Sequence, residues 1–397
     1  MLRVLDAGES HGPALTAIIE GFPAGVRLSE ERINELLAIR QQGYGRGNRQ
    51  KIEKDVIEVL SGMRHGVTLG SPIAIRVSNR DWANWEDAMH PFNLPSLSQE
   101  GGRAKKITRP RPGHADLVGV LKYGFDDVRN ALERASARHT AVRTAVGAIC
   151  YEFLLQLGVT GAGFVTAVGP EKSNAVPPSL TLAKLLKRIE ASQLRCPDPE
   201  AEQRMIDVIS RCKKEGDSVG GVFEVWFDGL VPGLGTYAQW DRRLDGKLAQ
   251  ALMSIQAIKG VEVGAGFSYA AATGSKSHDG IVIKEDRIGR HGNSSGGLEA
   301  GMTNGERLVI RAGMKPLPTL VKPLPSVNLK TKQAEKATVE RTDVCAIAAA
   351  SIVGFAVTAT VLTETYLEKF GNDCFVDIES AVAQYKKRID KVLSAND

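Results

Sequence analysis

Short apolar segments rich in β-branched residues alternate along this chain with glycine-rich loops. Segments 56–60, 73–77, 222–226 and 308–310 have the β-branched and aromatic content that is typical of strands. The glycines are concentrated in loops at 43–47, 101–102, 220–235, 260–266 and 292–305. Because glycine loops let a ligand come close to the backbone, we expect these loops to contain the ligand contacts.

The first predicted helix begins after Ser29, which suits the N-cap position. Ile33 and Leu37 recur at helical spacing, and Gly43 ends the helix. Arg40 lies seven residues after Ile33, so its charge falls on the same buried face near the helix end. A solvated arginine is the simpler interpretation, but the cationic loop that follows favours a ligand contact.

A second helix is predicted over 137–158, with Ser136 as its N-cap. Its free amide N–H groups and the positive end of its dipole favour an anion, and Arg134 and Arg138 add charge beside it. An exposed, charged helix start is the alternative.

A third apolar segment, at 344–362, is uncharged and close to the length of a membrane span. Its alanines, its threonines, Ser351 and Gly354 instead predict a buried helix of a large core or of a subunit interface. Asp343, just before it, is either the N-cap of this helix or, beside Arg341, a catalytic base.

Composition narrows the class of protein. The 397 residues carry 51 Lys and Arg against 46 Asp and Glu, a net charge of +5 that is too small and too dispersed for a nucleic-acid partner. The five cysteines have no Cys-x-x-Cys spacing, so we expect no zinc site, no metal and no disulfide framework. With no signal-peptide pattern, repeat or linker, we predict a single α+β domain over 1–397 that is cytoplasmic and not bound to a membrane.

Two histidines lie in stiff turns. His11 is flanked by glycine in the motif GESHG at 8–12, and His114 follows two Arg-Pro steps in RPRPGHAD at 109–116. These turns present an imidazole for proton transfer, and Asp116 is placed to orient the ring of His114. A structural histidine is the commoner case for one histidine alone, so the prediction depends on finding both beside arginines.

Two further loops carry cations. The loop GYGRGNR at 43–49 presents Arg46 and Arg49, whose planar guanidinium groups suit a carboxylate or a phosphate. It lacks the Gly-Lys-Ser/Thr ending of a nucleotide P-loop. The turn KPLPT at 315–319 adds Lys315.

The chain resembles the chorismate synthase family over nearly its full length. The resemblance rests on these motifs and on segments 134–141, 254–267, 296–319 and 341–345. The resemblance implies an elaborated β-sandwich core flanked by helices, a homotetramer and reduced FMN as the cofactor. It also implies the reaction, a lyase step of the shikimate pathway to the aromatic amino acids. Phosphate leaves 5-enolpyruvylshikimate 3-phosphate by trans-1,4-elimination, a ring proton is lost, and chorismate forms.

The resemblance also implies roles for individual residues. His11 would protonate the departing phosphate, His114 would lie beside flavin N1, and Asp343 with Thr342 would help flavin N5 to accept the ring proton. The implied substrate-binding residues are Ser10, Arg40, Arg46, Arg49, Arg111 and Arg138. The implied cofactor-binding residues are Arg134, Ala135, Ser136, Gln256, Ala257, Ala300, Lys315, Pro316, Leu317, Pro318, Thr319 and Arg341.

Two departures from the family pattern bear on these roles. His139 replaces a usual glutamate, which removes a capping box, and Ala300 replaces a usual glycine, which would be strained if that position needs a positive φ. The chain has no nucleotide-binding fingerprint. We therefore expect NADPH to act only indirectly, as the reductant used by an external flavin reductase.

Two other functions also suit the arginine loops. One is a phosphoryl-transfer enzyme, which would require magnesium. The other is a non-catalytic module that binds anions or RNA.

Overall fold

Two antiparallel sheets form much of the fold. The computed structural model describes residues 1–47, 54–92, 105–339 and 343–395. The strands are β1 (Arg3–Ala7), β2 (Ala14–Glu20), β3 (Ile57–Ser61), β4 (Met63–Arg64), β5 (Val67–Thr68), β6 (Ile73–Ser78), β7 (Thr160–Val168), β8 (Glu171–Lys172), β9 (Gly221–Asp228), β10 (Ile258–Val263), β11 (Ile281–Lys284), β12 (Arg287–Arg290), β13 (Leu298–Glu299), β14 (Met302–Thr303), β15 (Leu308–Met314), β16 (Pro325–Val327) and β17 (Ala334–Lys336). The first sheet has the order β1-β2-β6-β3 and the second β10-β15-β9-β7-β8. The remaining strands form the hairpins β4-β5, β11-β12, β13-β14 and β16-β17.

Helices cover the inner faces of the sheets and build the cavity walls. They are α1 (Glu30–Gln41), α2 (Glu86–Met89), α3 (Asp116–Tyr123), α4 (Arg129–Arg134), α5 (Thr140–Gln156), α6 (Leu182–Glu190), α7 (Pro199–Glu215), α8 (Leu244–Met253), α9 (Gly274–Ser277), α10 (Ile347–Phe370) and α11 (Phe375–Leu393). Short 3-10 helices cover Trp82–Asn84, Ala137–His139, Trp240–Arg242 and Gly266–Ala271.

The core is a pair of helices packed between the two sheets. α5 packs on β2 and β6 of the first sheet, α10 packs on β7 and β9 of the second, and the two helices pack on each other. Gly147 of α5 permits this close crossing, because a Cβ there would lie 2.3 Å from the backbone oxygen of Ala356. Buried side chains of both sheets and both helices form one hydrophobic cluster, which fits the predicted α+β class.

The predicted strands are all present, at β3, β6, β9 and β15. Burial alternates along β6 and β15, where every second side chain is buried, whereas β9 is buried along most of its length. The first predicted helix is confirmed as α1, because the backbone N–H of Arg32 donates to the Ser29 hydroxyl at 3.2 Å and caps it. Arg40 lies on its buried face, as predicted.

The other two predicted helices are present with shifted starts. The helix expected over 137–158 begins with the 3-10 turn Ala137–His139, which Ser136 caps, and continues as α5. The apolar segment becomes α10, which is long and apolar enough to cross a membrane by length and composition alone, yet 89% of its most apolar window is buried. Ala346 occupies its N-cap position, so the interpretation of Asp343 as the cap is wrong.

Candidate active site

A cavity of about 1940 Å³ lies where the end of α1, the start of α5 and the start of α10 meet the edge of the second sheet. Most of the predicted site residues line it. They are Ser10, His11, Arg40, Arg46, Arg111, His114, Ala135, Ser136, Arg138, Gln256, Ala257, Lys315, Leu317, Pro318, Thr319 and Asp343. The fold therefore brings together segments as distant in the chain as Ser10 and Asp343.

Three predicted cofactor residues do not line this cavity. Pro316 lies between two residues that do, and Arg134 lines a smaller adjoining cavity of about 510 Å³ that shares Gln256 with the first. Ala300 is exposed in the turn of the β13-β14 hairpin. Arg49 and Arg341, with Thr342, lie outside the described residues.

Ala300 lies at the far end of α8 from the cavity. The carbonyl of the next residue, Gly301, accepts a hydrogen bond from the N–H of Leu244 at the start of α8, whereas Gln256 and Ala257 follow the end of that helix. Ten helical residues span about 15 Å, so in this chain Ala300 is separated from the cavity wall. Its φ is +49°, which makes the alanine strained, as the sequence suggested it would be if that position needed a positive φ.

His11 is held from several directions. Its ring Nδ1 lies 2.9 Å from both carboxylate oxygens of Glu133, and its backbone N–H donates to Glu133 Oε2 at 2.9 Å. The indole of Trp85 stacks on the ring with centroids 3.7 Å apart. The preceding Gly8 has a φ of +119° and no room for a Cβ, because that atom would lie 2.6 Å from the Ala14 carbonyl oxygen.

Glu133 is ionised in this setting. Its side chain is 1% exposed, and burial acts to raise its pKa. The hydrogen bond and charge of His11, together with the charge of Arg129, outweigh burial and lower the pKa overall. Because Glu133 is far from His11 in sequence, the analysis of motifs missed this partner.

His114 has a similar carboxylate partner. Its Nδ1 is hydrogen-bonded to Asp116 Oδ1, which is the contact predicted from their spacing. Asp116 also accepts hydrogen bonds from Nε of Arg111 at 2.9 Å and from its backbone N–H at 3.0 Å. Burial acts to raise the pKa of Asp116, but its bonds to His114 and Arg111 outweigh burial and hold the pKa well below its ordinary value.

The turn that carries His114 is fastened to the turn at 315–319. Arg111 Nη1 donates to the Thr319 hydroxyl at 2.9 Å, and Lys315 Nζ donates to the Gly113 carbonyl at 2.5 Å. The second turn is anchored in turn, because the N–H of Lys315 donates to the Ala257 carbonyl at 3.0 Å where β10 meets β15. The sheet edge thus sets the position of both turns.

Arg40 and Arg138 share one buried carboxylate, that of Asp55. Arg138 Nη1 lies 2.7 Å from both oxygens of Asp55, and Arg40 Nη1 lies 3.4 Å from Oδ2. Arg40 also donates to the Thr140 hydroxyl at the start of α5, at 2.9 and 3.0 Å. Two positive charges against one carboxylate leave this wall cationic. Asp55 belongs to no recognisable motif, so nothing in the sequence pointed to it.

Arg46 and Asp343 form an ion pair at 2.8 Å. The Asp343 carboxylate also accepts the backbone N–H of Gly47 at 2.6 Å, and the N–H of Val344 donates to the Gly45 carbonyl at 2.8 Å. The glycine-rich loop therefore rests against the chain just before α10. This contact, rather than a helix cap, accounts for the position of Asp343.

One wall of the cavity can accept a hydrogen bond from a bound molecule. Gln256 Oε1 is buried and has no hydrogen-bond partner among the described residues. Ala257, the next residue, is held at a φ of +69°, which is strain of the kind that persists where the surroundings fix the backbone. A buried acceptor beside Lys315 and the helix start at Ser136 fits a ligand with N–H donors and an anionic group.

His139 takes part in a cluster beside the smaller cavity. Its Nε2 lies 2.7 Å from Asp6 Oδ1, and Arg134 Nη2 lies 2.7 Å from the same oxygen. Burial acts to raise the pKa of Asp6, but the hydrogen bonds and charges of His139 and Arg134 outweigh it and lower the pKa to about 2. Position 139 has a histidine in place of the usual glutamate, and Asp6 on β1 supplies a carboxylate to this cluster instead. Nothing in the sequence indicated this contact.

The cavity combines two oriented imidazoles, a carboxylate and several guanidinium groups. Such a set can bind a molecule with several negative charges and exchange protons with it. In the described part of the chain, no group of three or more His, Cys, Asp or Glu side chains is arranged to hold a metal ion.

Comparisons with known proteins agree on one family. Residues 2–367 match the sequence model for chorismate synthase. A chorismate synthase of Alkaliphilus metalliredigens is 51% identical over 386 residues, which cover 97% of this chain and 99% of the relative. One of Geobacter metallireducens is 52% identical over 388 residues, covering 95% and 96%. A crystal structure of chorismate synthase, 40% identical, superposes with a TM-score of 0.78 over 98% of both chains.

Proposed function

Since this chain belongs to the chorismate synthase family, we propose that the 1940 Å³ cavity is its active site. The family's reaction is a lyase step of the shikimate pathway, in which 5-enolpyruvylshikimate 3-phosphate loses phosphate and becomes chorismate. The observation that carries the proposal is that His11 and His114, each bonded to a buried carboxylate, line the same cationic cavity.

Substrate binding falls to the arginines. The substrate has two carboxylates and a phosphate, so it needs several positive partners at separate points. Arg40 and Arg138 share one carboxylate, Arg46 faces Asp343, and Arg111 faces Asp116. Each guanidinium is held in place before substrate arrives, which reduces the entropy lost on binding. Ser10 and Arg49 complete the proposed set.

His11 acts at the leaving phosphate. In its protonated form it gives a proton to the phosphate oxygen as the carbon–oxygen bond breaks, which stabilises the departing group. Glu133 and Trp85 hold the ring, so little reorganisation is needed during the reaction.

The residues present fit a flavin. The residues that would hold reduced FMN against the sheet edge are Gln256, Ala257, Lys315, Thr319, Ala135 and Ser136. The buried Gln256 Oε1 is the hydrogen-bond acceptor that such a ligand would satisfy. Reduced flavin supplies electron density to the substrate while phosphate leaves and is recovered unchanged. His114 would hold a proton on its ring beside the cofactor, and the Asp343 carboxylate would assist removal of the ring proton.

The other cofactor contacts rest on the family resemblance. The further cofactor contacts proposed within one chain are those of Arg134, Pro316, Leu317, Pro318 and Arg341. Ala300 lies away from the cavity, so its contact would require a second copy of the chain.

We further propose a cytoplasmic homotetramer that depends on an external flavin reductase, each chain being one domain. The hydrophobic cluster common to both sheets supports the single domain. An apolar outer sheet face supports assembly, because Leu5 and Ile18 are paired in register on β1 and β2 and are 56% and 48% exposed.

An anaerobic assay tests the activity. Purified protein with chemically reduced FMN is expected to release phosphate from 5-enolpyruvylshikimate 3-phosphate and to form chorismate. His11→Ala and His114→Ala should each lower kcat by about 10² to 10⁴, whereas His291→Ala, at an exposed position away from the cavity, should not.

The alternatives have distinct outcomes in the same assay. No turnover with reduced FMN would refute the assignment. Magnesium-dependent phosphate transfer would favour a phosphoryl-transfer enzyme, and salt-sensitive RNA binding without turnover would favour a binding module. NADPH oxidation by the pure protein would contradict dependence on a reductase.

A further inference from the structure

Glu133 contacts the turn that carries His11 through both its side chain and its backbone. Its carboxylate accepts the His11 backbone N–H and contacts Nδ1, and its backbone carbonyl accepts the N–H of Ser10 at 3.0 Å. Residue 133 belongs to α4, whose position is fixed separately by the buried Leu132. The helix therefore holds both the backbone of the turn and the ring.

The contact fixes which ring nitrogen carries hydrogen. An ionised carboxylate only accepts hydrogen bonds, so His11 Nδ1 must be the donor. In the neutral ring this leaves Nε2 with a lone pair, and in the protonated ring it makes Nε2–H the donor at the opposite edge. His11 lines the cavity, so Nε2 is the nitrogen suited to exchange a proton there.

Arg129 is a second cation beside the Glu133 carboxylate. Arg129 precedes Glu133 by four residues on the same helix, and its Nη1 lies 3.4 Å from Glu133 Oε1. Its guanidinium lies 5.4 Å from the centre of the Trp85 ring. When His11 gives up its proton, Arg129 still balances the buried charge of Glu133. The carboxylate can thus go on accepting from Nδ1 throughout the cycle.

We propose that Glu133 is a positioning residue that fixes the tautomer and orientation of His11, so that Nε2 delivers the proton to the leaving phosphate. This inference rests on the proposed role of His11. Glu133 itself does not need to touch the substrate.

Two substitutions separate the role from a structural one. Glu133→Ala removes the acceptor, and kcat with reduced FMN should fall roughly 100-fold, with KM for the substrate changed less than about threefold. Glu133→Gln keeps the shape and one acceptor but removes the charge, so kcat should fall about 10-fold. Glu152→Gln is the matched control, since that side chain is 3% exposed, pairs with Arg32 at 2.5 Å, and is not on the cavity wall; it should keep kcat.

A spectroscopic measurement reports the tautomer without turnover. In ¹⁵N NMR of histidine-labelled protein, the spectrum of His11→Gln subtracted from the wild type identifies His11 among the seven histidines. Neutral His11 should carry hydrogen on Nδ1 in the wild type and shift towards the Nε2–H form in Glu133→Ala.

The outcomes distinguish the two levels of the argument. If His11→Ala keeps wild-type kcat, the proposed role of His11 is wrong. If His11→Ala loses activity while Glu133→Gln keeps wild-type kcat, the inference alone is wrong. An Nε2–H tautomer in the wild type also overturns it. Should Glu133→Ala fail to fold, the isosteric Glu133→Gln and the wild-type spectrum decide.

Discussion

Replacing Gly147 by alanine is expected to force the two central helices apart. Gly147 lies where α5 crosses α10, and a Cβ there would be 2.3 Å from the backbone oxygen of Ala356 and 2.5 Å from its carbonyl carbon and Cα. All three are backbone atoms of a buried helix, so no side-chain rotation can relieve the contact.

The geometry sets the size of the effect. Ordinary contact begins at 3.4 Å, so a gap of about 1 Å has to open between elements packed at crystalline density. Overpacking of this kind costs about 3 kcal/mol, and the better helix propensity of alanine offsets about 1 kcal/mol of it. We expect the free energy of unfolding to fall by about 2 kcal/mol or more.

The same substitution at Gly246 provides the control. Gly246 is an exposed residue of α8, and the nearest atom to its Cβ would be the Trp240 carbonyl oxygen at 4.0 Å. Alanine there should raise the free energy of unfolding by about 0.5–1 kcal/mol. Urea titrations followed by circular dichroism, at one fixed protein concentration, measure both variants. A Gly147→Ala variant as stable as the wild type, or two variants whose stabilities shift in the same direction, would contradict this expectation.

Two further changes test particular residues. Asp6→Asn should lower the free energy of unfolding at pH 7 by about 1 kcal/mol, a value reduced for the solvent screening of this half-buried pair. The pKa of Asp6 is lowered to about 2 in the folded protein, so its stabilising effect is complete above about pH 4 and is lost as the pH falls towards 2. Thermal unfolding midpoints of the two proteins should therefore converge in acid, and a constant difference down to pH 2 would contradict this. Ala300→Gly should raise the free energy of unfolding by up to about 1 kcal/mol, because glycine removes the strain of a φ of +49°. The greater entropy of glycine in the unfolded chain offsets part of this gain. A variant that is no more stable than the wild type in a urea titration would show that the turn tolerates alanine without strain.

Local patterns in the sequence identified the elements that depend on neighbours in the chain. The cap at Ser29, the buried face that holds Arg40 and the glycine turn around His11 all follow from spacing within about ten residues. The contact of His114 with Asp116 was predictable for the same reason, since the two are separated by a single residue.

Partners distant in sequence could not be predicted in this way. Asp55 and Glu133 carry no motif, yet each is buried against cations supplied by other elements. Asp343 was ambiguous, because a carboxylate before a helix suits either a cap or a base. The structure excludes the cap, since Ala346 takes that position and Asp343 contacts Arg46 and Gly47. Arg134 and Ala300 lie in segments that match the family, but the packing of α8 and β1 places them away from the main cavity.

The sequence by itself determined several of the strands and helices of this protein, the turns that present its two histidines, and its family. Tertiary structure decided which carboxylate faces which cation, including the contact of Glu133 with Nδ1 of His11. The physical reason is that helix caps, strand alternation and turns are set by short-range sterics and hydrogen bonds, whereas the charge balance of a cavity is set by groups that only packing brings within 3 Å.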